Sequence, residues 1–298
     1  TTIKGGILQI ASDANLGAAS GGLALEGATL HLTGDATSQR AVSLGAGASA
    51  FDIDATRTLA LNGTVSGAGG LRKVGGGTLT LGSANNYAGG TFVDAGTLAS
   101  DVAGALGSGA ASVAAGATLQ LGGVFDAGGI AIGNQGAVRF QGKASAGTST
   151  ITNAVGGALA FADDASAGTA TVLNQAGAQL RIDQATTGVN IGALGGAGDV
   201  LLGAKVLTTG GLNTSTAVSG TLSGAGGSLV KVGSGTLDLS AANSYTGGTT
   251  IAAGTLAVNN ASGSATGTGA VQVQGGGTLA GNGSVSGAVS IAKGGVLS

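Results

Sequence analysis

The sequence predicts an all-β chain of short parallel strands wound into a β-solenoid of roughly 20 residues per rung, and three observations predict it. A short cassette recurs along the chain: a glycine, one or two small residues, then two aliphatic or aromatic residues one position apart. Gly6-Ile-Leu-Gln-Ile10, Gly116-Ala-Thr-Leu-Gln-Leu121 and Gly177-Ala-Gln-Leu-Arg-Ile182 are examples. The apolar positions inside the cassette alternate with period two, as in a half-buried strand. Finally, the 298 residues contain 64 glycines and no proline, a composition that interrupts helices and spares strand ladders a missing donor.

The spacing of the cassettes sets the rung. The marker glycines are Gly6, Gly27, Gly47, Gly77, Gly96, Gly116, Gly136, Gly157, Gly177, Gly198, Gly220, Gly235, Gly254, Gly277 and Gly294. From Gly77 to Gly198 the gaps are 19, 20, 20, 21, 20 and 21 residues, the signature of stacked repeats. The gap of 30 between Gly47 and Gly77 reads as a double rung marked midway by Gly63, and the gap of 15 between Gly220 and Gly235 as a shortened one. Loops are expected around Gly47 to Gly77 and Gly198 to Gly235. About fourteen rungs, each ~4.8 Å above the last, follow from the length.

Within the cassettes, Leu30/Leu32, Leu79/Leu81, Val138/Phe140, Leu159/Phe161 and Leu237/Leu239 flank His31, Thr80, Arg139, Ala160 and Asp238. One face therefore turns in and the other out. No window of eleven or more residues holds apolar positions at helical spacing without glycine interruptions, so long helices are not expected. Glycines are expected at corners of positive φ and where walls approach closely. Since each rung contacts only its neighbours, residues 1–298 are expected to form one continuous β-helix segment.

Charge and cysteine content exclude several classes. A net charge of −2 with 11 Lys and Arg offers no basic stripe for phosphates, so nucleic acid is not an expected partner. With no cysteine, disulfide scaffolds and thiolate metal sites are excluded. No run of 18 apolar residues occurs, and Thr1-Thr-Ile-Lys-Gly5 lacks the basic and apolar regions of a signal peptide; the chain reads as an excised fragment.

The residues that could carry chemistry are few. Asp52 and Asp54 lie two apart and share the outward face, ~7 Å from each other, while Asp163-Asp164 is the one adjacent acidic pair; both read as solvated positions. A calcium nonapeptide is not matched, since Asp199 follows Gly195-Gly-Ala-Gly198 one place early, and a hard cation needs six or more oxygens. The sole histidine, His31, reads as an outward strand residue. Ser228-Leu-Val-Lys231 spells the S-x-x-K of acyl-enzyme formers without its companion K-T-G, and the corresponding Gly70-Leu-Arg-Lys73 has no serine, so the spelling is read as accidental. Glycine runs such as Gly67-Ala-Gly-Gly70 lack the spacing of a nucleotide loop. Tyr87 and Tyr245 each precede a Gly-Gly-Thr turn, and their rings are expected to lie across an exposed glycine corner. Asn85, Asn86 and Asn243 are expected to stack or to cap nearby turns. No catalytic residue, cofactor site or metal site is assigned, and an enzyme is not expected.

Two stretches carry a specific resemblance. Ser66-Gly-Ala-Gly-Gly-Leu-Arg-Lys-Val-Gly-Gly-Gly-Thr-Leu-Thr-Leu81, Ala84-Asn-Asn-Tyr-Ala-Gly-Gly-Thr91 and Ala95-Gly-Thr-Leu98 return as Ser223-Gly-Ala-Gly-Gly-Ser-Leu-Val-Lys-Val-Gly-Ser-Gly-Thr-Leu-Asp-Leu239, Ala242-Asn-Ser-Tyr-Thr-Gly-Gly-Thr249 and Ala253-Gly-Thr-Leu256. The pair, at about 63–99 and 220–257, closely resembles the passenger-associated transport repeat of type V autotransporters. The matching positions are Lys73 and Lys231, Gly77-Thr78-Leu79 and Gly235-Thr236-Leu237, Tyr87 and Tyr245, Gly89-Gly90-Thr91 and Gly247-Gly248-Thr249, and the closing Gly-Thr-Leu. The resemblance implies a single-stranded right-handed parallel β-helix, exported across the outer membrane of a Gram-negative bacterium by a C-terminal β-barrel, with signal peptide and barrel outside this chain. It also implies a repeat that aids secretion and folding.

Three functional readings follow. In the first, the solenoid is a surface-exposed or secreted adhesive passenger and virulence factor, in which many weak polar contacts add up; its expected partners are a host-cell or matrix receptor, or a second copy of itself. In the second it is an inert stalk for an upstream enzymatic or toxic domain. The third, a polysaccharide-processing or ice-binding solenoid, is disfavoured because the outward residues Gln9, His31, Thr80, Gln120, Arg139, Arg181 and Asp238 form neither an acidic groove nor a regular threonine array.

Overall fold

A computed structural model describes residues 1–298, which gather into two compact units, Thr1–Ser145 and Ala146–Ser298. Each unit is a parallel β-solenoid. All ladders pair strands one rung apart in parallel, and the rung ranges from 18 residues, Gly188 to Val206, to 23, Ala257 to Ala280. The remaining walls of the rung serve as the crossover that parallel pairing requires. The one helical element is a 3₁₀ turn at Asp13–Leu16. No helix is long and apolar enough to cross a membrane.

In the N-terminal unit three ladders enclose the core. The first joins Thr2–Lys4, Leu23–Glu26, Val42–Leu44 and Val65–Gly67. The second runs from Ile7–Ile10 and Thr29–Leu32 through Ala48–Ile53, Gly70–Val74, Thr91–Val93 and Ala111–Val113 to Ala131–Asn134. The third joins Ala36–Ser38, Thr58–Leu61, Thr78–Leu81, Thr97–Ser100, Thr118–Leu121 and Ala137–Phe140. Here the period-two pattern is realised directly: Leu59, Leu79, Leu98, Leu119 and Val138 stack inward, none more than 2% exposed. Phe125 and Phe140 add a tilted ring pair 6.4 Å apart. Both geometry and separation suit aromatic packing.

The C-terminal unit is built alike. One ladder carries Ala158–Phe161, Gln179–Arg181, Asp199–Leu201 and Leu222–Ser223. A second carries Gly188–Ile191, Val206–Thr209, Ser228–Lys231, Thr249–Ile251, Val271–Val273 and Val289–Ile291. A third carries Thr216–Val218, Thr236–Leu239, Gly254–Val258, Gly277–Ala280 and Val296–Leu297. Thr150–Asn153, Thr171–Asn174 and Ala193–Gly195 form a further ladder, and the bridge Gly196↔Val218 leads from it to the third.

The ladders correct the reading of the irregular gaps. Gly47 stands before Ala48–Ile53 in the second ladder, whereas Gly77 stands before Thr78–Leu81 in the third. The marker has moved to the next wall, so the 30 residues are one rung plus a wall offset, and Gly63 marks no double rung. Likewise Gly220 precedes Leu222–Ser223 and Gly235 precedes Thr236–Leu239, strands of two different ladders. No shortened rung exists there, and no long loop emerges between Gly47 and Gly77, where four strands follow closely.

The outward residues also regroup. Gln9, His31 and Asp52 are register partners on one wall. Thr80, Ala99, Gln120 and Arg139 share another, and Asp238 lies in line with Ala217, Ala257 and Ala280. The single outward column expected from sequence is therefore split among walls. Register further builds a column the sequence reading did not assemble, Thr58, Thr78, Thr97 and Thr118, on the outward face.

Candidate functional site

The duplicated motif builds the same set of polar side-chain bonds twice. In Gly70–Val74 the alternation turns Leu71 and Lys73 inward, both fully buried. A lysine in a dry core must spend its donors. Lys73 Nζ donates to the carbonyls of Val74 at 2.7 Å, Gly75 at 2.8 Å and Ala95, one rung on, at 3.2 Å. Lys231 Nζ repeats this with Val232 at 2.8 Å, Gly233 at 2.9 Å and Ala253 at 3.2 Å. Burial pushes the Lys73 ammonium down to about 8 and shifts Lys231 in the same direction. Gly96, at φ +65°, makes room for the contact, because a β-carbon there would lie 2.8 Å from Lys73 Nζ.

Two further groups bind neighbouring rungs together. Asn85 accepts from the Val65 amide at 2.7 Å and donates to the Ala105 carbonyl at 2.7 Å, so one amide side chain spans three rungs. Asn243 does the same between Leu222, at 2.7 Å, and Ala265, at 2.6 Å. Both asparagines bond neighbouring rungs rather than a nearby turn.

The tyrosines are where sequence reasoning fails. Tyr87 and Tyr245 are fully buried, and no ring lies over an exposed corner. Tyr87 Oη lies 2.6 Å from Thr91 Oγ1, which itself donates to the Leu106 carbonyl at 3.0 Å. Tyr245 Oη and Thr249 Oγ1 are again 2.6 Å apart. Gly107, at φ +68°, lets the next rung pass, since a β-carbon there would meet the Tyr87 carbonyl at 2.4 Å and its ring at 3.0 Å. Burial raises both phenols well above their ordinary range. The aromatic that does lie against bare glycine is Phe92: its ring meets the β-carbon positions of Gly70 at 3.0 Å and Gly90 at 3.6 Å. Arg72, ion-paired with Asp94, stacks over that ring 5.1 Å from its centre.

Of the remaining transport-repeat positions, Thr78 and Thr236 face outward beside buried Leu79 and Leu237. Gly89 sits where a β-carbon would lie 2.4 Å from the Gly69 and Gly70 backbone, and Gly247 where one would lie 2.4 Å from the Gly226 carbonyl. Gly90 and Gly248 have φ +89° and +96°. Thr91 and Thr249 face inward.

The residues weighed for chemistry do not converge on a reacting centre. Ser228 and Lys231 are three apart in one strand and so point to opposite faces, and Lys231 is fully engaged. His31 Nε2 lies 2.9 Å from Asp54 Oδ1, a bond that raises the imidazole's pKa. Asp52 shares the outward face with Asp54, as expected.

One organising residue carried no sequence signal. Arg40 is 3% exposed. Its guanidinium bonds Asp13 Oδ1 at 2.9 Å and the carbonyls of Asp13, Gly17, Ala18 and Gly21, fastening the loop after the first cassette. Burial raises the Asp13 pKa, but hydrogen bonds from Arg40 and Ser38 outweigh it and hold the carboxyl below the usual range.

The passenger-associated-transport-repeat family model matches residues 71–99 and 229–258, the two segments that build these bonds. Over 108 residues the chain is 45% identical to the adhesin BmaC autotransporter of Brucella suis biovar 1 (strain 1330). That stretch is 36% of this chain, and the chain spans 3% of the relative's length. No solved structure matches the chain.

Proposed function

We propose that this chain, a parallel β-solenoid carrying two passenger-associated-transport-repeats, is a segment of an autotransporter passenger that acts in adhesion at the surface of a Gram-negative bacterium. The observation that carries the reading is the recurrence of the same three bonding groups, a buried lysine, a rung-bridging asparagine and a buried Tyr–Thr pair, in both matched segments, with bond lengths that agree to within about 0.1 Å. Similarity to an adhesin supports the role. In this reading the walls supply extended rows of small polar groups, such as the Thr58–Thr118 column, and affinity comes from many weak contacts in parallel. The partner is a host-cell or matrix receptor or a second copy of the chain, and secretion runs through a C-terminal β-barrel. No catalytic step is part of it: the one lysine spelled into a nucleophile motif spends its donors on carbonyls.

The test is binding of the purified, labelled chain to cultured cells and immobilised matrix proteins, with sedimentation of the same sample. Saturable binding, or reversible dimers, is expected. A monomer that binds neither cells nor matrix would overturn the adhesive role and leave a stalk.

A further inference from the structure

Side chains such as Asn85, Asn243 and the Asn153–Asn174 pair bond one rung to the next, but the hydrophobic pattern itself leaves the register loose. Five strands read Thr-Leu-x-Leu and several more are near variants, while glycine, alanine, serine and threonine fill many of the corners. A slip of one residue between rungs turns every apolar side chain outward and is strongly opposed. A slip of two keeps the alternation, leaves leucine upon leucine, and is barely opposed by burial. Something other than the hydrophobic pattern must select between registers that differ by two.

We infer that Lys73 and Lys231 are register locks, buried cations that fit against the following rung only when its small corner residues, Ala95-Gly96 or Ala253-Gly254, are seated in the native register. Two of the three acceptors of Lys73, Val74 and Gly75, belong to its own turn. The third, Ala95, is contributed by the next rung, 22 residues on. A slip of two moves that carbonyl by roughly 6.6 Å and puts the backbone of Val93 or Thr97 in its place. It also replaces Gly96, the residue whose missing side chain clears Nζ, with Asp94 or Leu98. The same arrangement recurs at Lys231, with Ala253 as the distant acceptor and Gly254, at φ +66°, beside it. A buried polar group that fixes register at some cost in stability has precedent in helical assemblies.

The chain has no cysteine, so engineered disulfides read register directly. Register partners on adjacent strands lie ~4.8 Å apart, within disulfide reach, whereas residues offset by two lie ~8 Å apart and outside it. Thr80→Cys with Ala99→Cys reports the native register. Thr78→Cys with Ala99→Cys, and Thr80→Cys with Thr97→Cys, report slips in either direction. Around Gln120 and Arg139, partners on rungs without a buried lysine, Thr118→Cys with Arg139→Cys and Gln120→Cys with Ala137→Cys report slips in the same way. Each pair is refolded from urea under oxidation in the full chain, with and without Lys73→Met. The expected result is at least tenfold less slipped product at the lysine rung than at the lysine-free rung, and loss of that difference in Lys73→Met. Equal slippage at both rungs of the otherwise unaltered chain overturns the assignment, as does a folded Lys73→Met chain that slips no more than its parent. If Lys73→Met does not fold, the comparison between the two rungs decides alone.

Discussion

Tyr87 and Thr91 share a 2.6 Å hydrogen bond sealed inside the solenoid, and it is one link of a chain: the phenol donates to Thr91 Oγ1, and Thr91 donates to the Leu106 carbonyl of the next rung. The order of donation makes the two partners unequal. Tyr87→Phe removes the terminal donor and leaves the threonine still bonded, at a cost of about 1 kcal/mol. Thr91→Val strands both the phenol and the Leu106 carbonyl and should cost more, about 2–3 kcal/mol. Urea unfolding of the two variants, compared through their midpoints at constant slope, checks the ranking; equal losses would contradict the donor order.

Comparison of the two sets of bonds exposes a flaw in the second. Leu106 of the first is replaced by Thr266, which is fully buried and whose Oγ1 has no hydrogen-bond partner. Thr266→Val keeps the shape and deletes the unpaired hydroxyl, so it should stabilise the chain by about 1 kcal/mol, because an orphaned buried hydroxyl carries its full desolvation cost. A raised urea midpoint is the expected readout, and a lowered one would show that the hydroxyl is bonded in solution.

Glycines of similar φ should differ in tolerance. Gly107, at +68°, has the Tyr87 carbonyl 2.4 Å from its β-carbon position; Gly116, at +79°, has nothing within 4 Å. Gly116→Ala meets only the left-handed backbone penalty of about 1–2 kcal/mol. Gly107→Ala must also push rungs apart and should cost at least twice that, in thermal or urea melts.

What could be read from sequence tracks what is local. The alternation of Leu79 and Leu81 with Thr80 gives the strand and its inward face, the regular cassette spacing gives the parallel stacking, and the duplicated Lys73 and Lys231 segments give the family resemblance. Which wall a glycine opens was not legible, because Gly47 and Gly77 look alike in sequence and stand before strands of different ladders. Nor was the fate of Tyr87. A tyrosine before Gly-Gly-Thr looks exposed until the chain turns and Thr91 presents its hydroxyl inside. Arg40 gave no signal at all, since its acceptors lie 19 to 27 residues earlier and are mainly backbone carbonyls. The threonine column fails for the same reason: its members stand 19 to 21 residues apart, and register alone aligns them.

The buried lysines and tyrosines give stability a maximum on the alkaline side. Lys73 has a folded value of about 8 against 10.5 when exposed, and Lys231 is lowered too. Between about pH 8 and 10.5 the unfolded chain holds protons that the folded chain has released, so unfolding takes up protons and stability rises with pH. Tyr87 and Tyr245 work in the opposite sense. Their phenols are raised above the ordinary 10.0 by burial, so above about pH 10 the unfolded chain loses protons that the folded chain keeps, and stability falls as pH rises further. The urea midpoint should therefore climb from pH 8, peak near pH 10 and then drop. Lys73→Met with Lys231→Met should flatten the climb while leaving the drop, and Tyr87→Phe with Tyr245→Phe should do the reverse. A midpoint that falls steadily from pH 8 in the parent chain would mean that the three carbonyls hold each ammonium charged well beyond what burial alone permits.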